Sequence, residues 1–240
     1  MKKLVQSIHH FKMIQMKFRS TLFLFLLTAT SLFGQISFDA GSGVLKGFGA
    51  TKSFGNLHFG FEVPRSTDQS YYGRMSYYFP VKEDQVFSTM VTALNQSTTP
   101  YNLTVNYQRS TNYTIFEGGT RRYIGNDYDY GFSGYTGSNF MVIVNKVKNN
   151  YAKQDATGTY DWANSYTLSP TEEKEGTFLS IGAGLQLGVK YTFPAIGSIY
   201  ADVSGQYLLF GQASNQTAYN SQLISRLFFL FNVGFRKDLY

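Results

Sequence analysis

The 240-residue sequence contains no cysteine, and after residue 34 it contains no long apolar run. The absence of cysteine excludes a disulfide framework and any thiolate-ligated metal site. The absence of an apolar run approaching about 18 residues excludes a helical membrane protein. Stability must therefore come from other sources than cross-links or hydrophobic helices.

The excess of basic over acidic residues is small beyond the N-terminal segment. The formal net charge is +6, but five basic residues lie within residues 1–34, which contain no acidic residue, and 16 basic and 15 acidic residues remain after them. No basic patch remains that could serve as the electrostatic footprint of a nucleic-acid reader. Nucleic acid is therefore not an expected partner.

The N-terminal segment predicts a secretory signal peptide. Lys17 and Arg19 precede the apolar run 22–27, and cleavage is expected before Gln35. Met16 is a better-placed start, which leaves residues 1–15 either untranslated or part of an extended basic region. Residues 1–34 are predicted to be the signal peptide and residues 35–240 a single domain, because no linker divides them.

Strict alternation is the strongest structural signal. Between Phe178 and Tyr191, apolar residues occupy one face and Ser, Gly, Gln and Lys the other. Aromatic residues make up 18% of the chain, with 19 Tyr and 22 Phe against a single Trp. Long alternating strands with abundant aromatic rings are typical of transmembrane β-barrels, in which the rings form interfacial girdles. The predicted fold is an all-β, closed antiparallel up-and-down barrel, because unpaired backbone amides are costly in hydrocarbon.

About ten strands are recognisable, so a barrel of 8 to 12 strands is expected, with 8 or 10 favoured. The predicted strands are Ile36–Ala50, Leu57–Val63, Tyr71–Phe79, Val86–Leu94, Tyr101–Gln108, Tyr113–Tyr123, Phe140–Val147, Phe178–Tyr191, Ile199–Phe210 and Leu223–Arg236. Phe140–Val147 is apolar on both faces, which indicates burial by a plug or a partner, or packing through a narrow barrel. The segment 124–138 is long where a short turn belongs, and 149–176 is the longest predicted loop.

The terminal run from Leu227 to Phe235, followed by Tyr240, completes a pattern that resembles small outer-membrane β-barrel proteins of Gram-negative bacteria, the OmpX, OmpW and OmpA-barrel group. The sequence is rich in Tyr and Asn and has Phe-Gly-Gln at the predicted cleavage site. In both features it resembles the Bacteroidota members of this group. The resemblance implies a location in the bacterial outer membrane with both termini periplasmic. It also implies contact with outer-membrane lipid and lipopolysaccharide and with other outer-membrane proteins.

The same resemblance implies recognition of the last strand by the barrel-assembly machinery during biogenesis. The candidate assembly signal consists of Phe231, Val233, Phe235 and Tyr240. Tyr240 is the terminal aromatic residue, but the alternating apolar phase ends at Phe235, so either residue is a candidate for the terminal position of the signal.

Histidine is too scarce to favour catalysis. Enzymes on small barrels need a hydroxyl or carboxylate paired with histidine, and His58 is the only histidine after residue 34. Glu62 lies on the same strand face, about 13 Å away at ~3.3 Å per residue, which is too far for a hydrogen bond. No catalytic residue, cofactor or metal site is predicted.

Several charges fall on predicted lumen-facing positions. They are His58, Glu62, Arg74, Lys190, Asp202 and Arg236. Buried charges are costly unless paired, so a salt-bridge network is the expected role, and a selectivity filter is the alternative. The adjacent Arg121 and Arg122 are expected near a membrane interface, where they would meet lipid headgroups or a partner's acidic groups.

Three functions fit the sequence. The favoured one is a non-enzymatic barrel that acts as a structural or accessory component of an outer-membrane protein assembly. The second is a porin-like channel for small solutes or hydrophobic compounds, and the third is a lipid-modifying enzyme.

Overall fold

The computed structural model describes residues 36–126, 130–168, 174–215 and 225–239. The predicted signal peptide and Tyr240 lie outside these residues. Within them, no helix is both long and apolar enough to cross a bilayer.

The described residues form nine β-strands. They are β1 (Ile36–Gly47), β2 (Ser53–Pro64), β3 (Gln69–Ala93), β4 (Asn102–Gly125), β5 (Gly131–Tyr151), β6 (Tyr166–Leu168), β7 (Glu175–Phe193), β8 (Gly197–Ala213) and β9 (Leu227–Leu239).

Eight of these nine strands close into a ring. The sheet order is β2-β1-β9-β8-β7-β5-β4-β3-β6, and an additional β2–β3 pairing joins its two sides. Each pairing around the ring is antiparallel. The short β6 pairs only with residues 91–93 of β3 and stays outside the ring. The predicted closed antiparallel barrel is confirmed, with eight ring strands among the described residues.

The predicted ten strands become eight because two pairs of segments are continuous. The segments Tyr71–Phe79 and Val86–Leu94, apart from Leu94, belong to the 25-residue β3. The segments Tyr101–Gln108 and Tyr113–Tyr123, apart from Tyr101, belong to the 24-residue β4. Register shifts occur in β3 between Tyr78 and Val81 and again before Val86. Such bulges break the alternation without ending the strand. The loss of alternation at the bulges therefore resembled a turn in the sequence, although the strand continues through it.

The segment 124–138 is also mostly strand. β4 runs to Gly125 and β5 begins at Gly131, so the connection is short. The predicted Phe140–Val147 strand is the middle of β5. Its outward residues include Phe140 and Val142, whereas Met141 and Ile143 are buried inside the barrel. The inward residues of this segment pack against side chains of the other ring strands, which is the expected packing through a narrow barrel.

The two ends of the barrel differ. The strand order places Ile36, Leu239 and the β2–β3, β4–β5 and β7–β8 connections at one end, here called the terminal end. At the opposite, loop end, β3 exceeds the 12-residue β1 by 13 residues, which is about 40 Å along the strand. Residues 81–93, 102–112, 146–151 and β6 form a projection, here called the extension. A buried apolar cluster that includes Val91, Val105 and Tyr166 holds it together.

The outer wall of the barrel is apolar. Along β7, Leu185 is 70% exposed and Leu187 61%, while Gln186 between them is 1% exposed. The predicted alternation of Phe178–Tyr191 is therefore present with its apolar side outward. Large exposed side chains on β1, β2, β3, β8 and β9 continue this belt around the ring. An exposed apolar surface of this extent marks contact with lipid or protein.

Candidate functional site

Charged side chains fill the terminal half of the barrel interior. The charged core, as named here, consists of Asp39, His58, Glu62, Arg74, Glu117, Arg121, Lys190, Asp202 and Arg236, all of them buried. It contains the six residues that the sequence placed in the lumen. Because alternate residues of a strand face opposite sides, the inward phase of seven ring strands delivers these groups to one region.

Arg74 is the first centre of the charged core. Its guanidinium lies 3.1 Å from Glu117 Oε1 and 2.9 Å from Asp202 Oδ2. Asp39 is farther away, with its Oδ1 3.9 Å from Nε. Asn232 donates a 2.9 Å hydrogen bond to Asp202 Oδ1, so this carboxylate is bonded through both oxygens. Pairing with opposite charges of this kind is what a charge removed from water requires.

Glu62 is the second centre. Its Oε2 accepts from Arg121 Nη1 at 2.6 Å and lies 3.5 Å from Arg236 Nη1. Its Oε1 accepts hydrogen bonds from the Ser70 and Tyr123 hydroxyls. One carboxylate thus ties β2 to β3, β4 and β9 across the lumen.

His58 belongs to a chain of hydrogen bonds. Tyr200 donates its hydroxyl proton to Asp39 Oδ1 at 2.9 Å, and His58 Nε2 lies 2.7 Å from the same hydroxyl. Since the hydroxyl has only one proton, Nε2 is the donor to Tyr200 and carries the ring proton. His58 is therefore fixed through tyrosine rather than through Glu62, in keeping with their separation along β2.

Aromatic rings separate and cover the cations. The Arg121 guanidinium lies 4.1 Å from the Tyr72 ring centre and 4.9 Å from that of Tyr135, and Lys190 Nζ lies 4.3 Å from the Tyr123 ring centre. Cation–π contacts of desolvated groups contribute up to about 2 kcal/mol. A cavity of about 10 Å³ remains among these residues, which is room for about one water molecule.

An apolar layer covers the charged core toward the loop end. This plug, as named here, consists of Leu45, Phe54, Tyr78, Tyr113, Ile115, Met141, Ile143, Leu208, Phe228 and Leu230. Among the described residues, seven of the eight ring strands contribute to it, β7 being the exception. Phe54 and Tyr113 pack edge to face with ring centres 4.8 Å apart. Each of these side chains is 8% exposed or less, so this layer of the interior is packed with apolar groups.

Part of the charged core was not predicted from the sequence. Asp39 lies opposite Arg236 in the β1–β9 register, and Glu117 lies opposite Arg74 in the β3–β4 register. Register across strands is not visible in a single sequence. Arg121 was expected at the membrane interface, and this is wrong because it faces inward beside Glu62, whereas Arg122 faces outward. Adjacent residues of one strand cannot share a face.

A sequence signal for the two missed β4 residues existed. All the charged residues on the odd-numbered positions of β4 are buried, namely Arg109, Glu117 and Arg121. Charges cannot face hydrocarbon without cost, so this phase predicts the lumen side once the strand is recognised as continuous. Splitting β4 into two predicted strands hid the phase.

The remaining sequence predictions concern assembly and metals. Phe231, Val233 and Phe235 of β9 all face outward and are exposed. Tyr240 lies outside the described residues, so the choice between Tyr240 and Phe235 stays open. In the part of the chain that is described, no group of three or more His, Asp or Glu side chains could hold a metal ion.

Comparison with known proteins found distant structural likenesses. Neisserial surface protein A aligns with a TM-score of 0.46 and 10% identity, covering 84% of this chain and 94% of that one. A major outer membrane protein from Thermus thermophilus gives a TM-score of 0.43 at 10% identity, and Ail, the attachment invasion locus protein of Yersinia pestis, 0.40 at 12%; each covers 85% of this chain and 98% of the other. No family model and no curated relative match the chain. At these values the likeness carries no functional argument, and the fold rests on the strand pairing.

Proposed function

We propose that this chain is a non-conducting outer-membrane β-barrel that serves as a structural or accessory component of an outer-membrane protein assembly. In this arrangement the terminal end faces the periplasm and the extension projects outside the cell. The observation that carries the proposal is the combination of an apolar outer wall with a plugged, charge-paired interior.

The membrane location is supported by the dimensions and surface of the ring. A transmembrane β-strand needs about 9–11 residues, and β1, β2 and β9 have 12, 12 and 13. Their outward side chains include Phe38, Phe59, Phe61 and Phe231, all exposed. Exposing such an apolar wall to water is unfavourable, whereas contact with hydrocarbon is not. Ring closure also leaves no unpaired strand edge among β1, β2 and β9.

The non-conducting character is supported by the interior. The plug closes the cross-section on the loop side of the charged core, and the core's opposite charges pair with one another. A selectivity filter needs charges that meet passing ions, but these carboxylates and guanidiniums are buried and already bonded. The charged core is accordingly a structural network.

The non-enzymatic character is supported by the surroundings of His58. Its ring is 5% exposed and bonded to Tyr200, and the neighbouring cavity of about 10 Å³ has no space for a substrate. Replacing His58 by Ala should leave the lipid A composition of expressing cells unchanged in mass spectra. A lipid A modification that depends on His58 would overturn this part of the proposal.

The accessory role is supported by the extension. It carries the exposed Val86 and Met90 beyond the short strands of the ring, where lipid does not cover them. Aromatic and apolar residues exposed to water are typical of protein-binding surfaces. The extension is therefore the part that would contact another protein.

The test is gentle extraction from outer membranes followed by native mass determination of the tagged protein. A stoichiometric complex is expected. Replacing the exposed Val86 and Met90 by Ser should release the partner while the barrel keeps its heat-modifiable mobility on a gel. A monomeric wild-type protein, or a complex unaffected by changes throughout the extension, would contradict the accessory role.

A further inference from the structure

A polar groove interrupts the apolar belt on the outer wall. At the terminal end, Arg65, Tyr71, Thr120, Arg122, Thr136 and Ser138 line an open groove of about 380 Å³, here called the outer groove. It crosses β3, β4 and β5, and Leu185 of β7 forms its far wall. The groove is concave because Thr120, Thr136 and Ser138 have short side chains, whereas nearby outward positions carry larger residues such as Met75 and Phe116.

The register places the hydroxyl groups side by side. Thr120 pairs with Tyr71 on one side and Ser138 on the other, and Ser138 pairs with Leu185. In the adjacent row, Arg122 pairs with Thr136. Side chains at paired positions lie about 4.5–5.5 Å apart, so these polar groups form one continuous patch. Toward the loop end the wall is again apolar, with Met75, Phe116 and Val142 aligned in one row.

Two arginines make this patch cationic. The Arg122 side chain is 69% exposed, and its Nε lies 3.6 Å from Asp68 Oδ2. The Arg65 guanidinium lies 5.8 Å from the Tyr71 ring centre, and Arg65 is exposed. Among the described residues the two guanidiniums face one carboxylate, that of Asp68, so this part of the rim carries an excess of one positive charge. Guanidinium and hydroxyl donors together suit a phosphate group, which arginine binds in a bidentate manner.

We propose that the outer groove binds the phosphate headgroup of one anionic phospholipid of the periplasmic leaflet. Arg65 and Arg122 bind the phosphate, the hydroxyls of Thr120, Thr136 and Ser138 hydrogen-bond to the headgroup and glycerol region, and an acyl chain lies against Tyr71 and Leu185. The inference rests on the proposed function, because it needs the terminal end at a membrane surface.

The test is lipid retention. The full protein is inserted into vesicles of phosphatidylethanolamine and phosphatidylglycerol, extracted in mild detergent and weighed by native mass spectrometry. The wild-type barrel should retain one phosphatidylglycerol. Arg65→Gln combined with Arg122→Gln should weaken retention about tenfold or more, because two charge-assisted contacts are lost. Asp68→Asn should strengthen retention, since it removes the opposing carboxylate.

The matched control is Lys237→Gln, which removes an exposed cation from the same end of the barrel but not from the groove. It should leave retention unchanged. Thr120→Val combined with Ser138→Ala keeps the charge and should lower retention, and it serves as the second variant if the arginine variant does not fold. Equal retention by the wild type and both double variants would overturn the proposal, as would a loss in Lys237→Gln equal to that in the arginine variant.

Two further results distinguish a lipid phosphate from a free phosphate ion, and failure of the groove proposal from failure of the proposed function. Displacement of the lipid by excess inorganic phosphate alone would overturn the lipid assignment in favour of a free-anion site. Failure of the wild type to insert, seen as loss of heat-modifiable mobility and of protease protection in the vesicles, would contradict the proposed function itself. Insertion without a retained phospholipid would contradict only the outer groove as a lipid site.

Discussion

At the residue scale, the interior is organised around two groups that each satisfy several partners. Arg74 forms ion pairs with Glu117 and Asp202, and Glu62 forms ion pairs with Arg121 and Arg236. A lone charge in such a place would be costly, whereas paired charges are tolerated and fix the relative positions of the strands. The network therefore acts mainly on the structure of the barrel.

Arg74→Met should destabilise the folded barrel strongly. It leaves buried carboxylates without their cation, and breaking a buried pair in this way costs about 3–5 kcal/mol of the free energy of unfolding. Denaturant unfolding in detergent micelles measures the change. Arg226→Met, at an exposed position of the loop end, is the control and should change stability by no more than about 0.5 kcal/mol. Equal effects of the two substitutions would contradict a structural role for the charged core.

Two neighbouring glycines offer a sharp comparison of the two wall faces. A Cβ at Gly119 would stand 2.1 Å from Ser138 O and 2.8 Å from Asn139 Cα, both on β5, whereas at Gly118 the nearest atom is Tyr72 O at 3.6 Å. Gly119→Ala must therefore push β4 and β5 apart, at a cost of about 1–3 kcal/mol. Gly118→Ala should be close to neutral in the same unfolding measurement. The reverse order would show that close strand approach does not limit this position.

At the element scale, the unequal strand lengths separate the membrane ring from the extension. The bulges of β3 between Tyr78 and Val86 mark the change. On the terminal side of the bulges, even-numbered residues such as Arg74 and Tyr78 are buried. On the loop side, the odd-numbered Val91 and Ala93 are buried instead. A shift of one residue exchanges the two faces of a strand. Periodicity could predict each half of β3, but not that the halves belong to one strand.

The loop that follows β5 is organised by a single carboxylate. The Thr157 hydroxyl and the backbone amides of Tyr160, Thr159 and Thr157 donate to Asp155. These donors stabilise the carboxylate and lower the pKa of Asp155 from 3.8 to about 2. A depressed folded-state pKa means that the stabilisation is complete above the unfolded value of 3.8 and is lost as the pH falls through about 2.

Hydrogen exchange of the Thr159 and Tyr160 amides should therefore accelerate, relative to the pH dependence of free peptide, as the pH falls from about 4 to about 2. Asp155→Asn keeps an acceptor but cannot titrate, so its loop should lose this pH dependence. Retention of the dependence in Asp155→Asn would assign the titration to another group.

At the scale of the whole molecule, alternation predicted the fold class and placed six residues on one face of their strands; all six are buried, namely His58, Glu62, Arg74, Lys190, Asp202 and Arg236. Alternation alone carries that information, because in a closed ring each strand has one lipid side and one lumen side. It could not provide the partners of these groups. Arg74 meets Asp202 and Glu62 meets Arg121 across the lumen, at sequence separations of 128 and 59 residues.

The plug was also beyond single-strand reasoning. Leu45, Ile115 and Leu230 occupy inward positions at which a water-filled channel would have polar residues. Within their own strands these residues do not differ from other apolar positions, and only the cross-strand pairing, which sets Leu45 beside Leu230 and Ile115 beside Ile143, brings them into one layer. The choice between a channel and a closed barrel therefore depends on the strand register.

The most direct test is the conductance of the protein reconstituted into a planar lipid bilayer, with insertion verified by heat-modifiable mobility and protease protection. A plugged barrel predicts no discrete current steps above those of the protein-free membrane. Reproducible single-channel steps with a stable open level would contradict the account, because ions would then pass the layer formed by Leu45, Phe54, Tyr113 and Phe228.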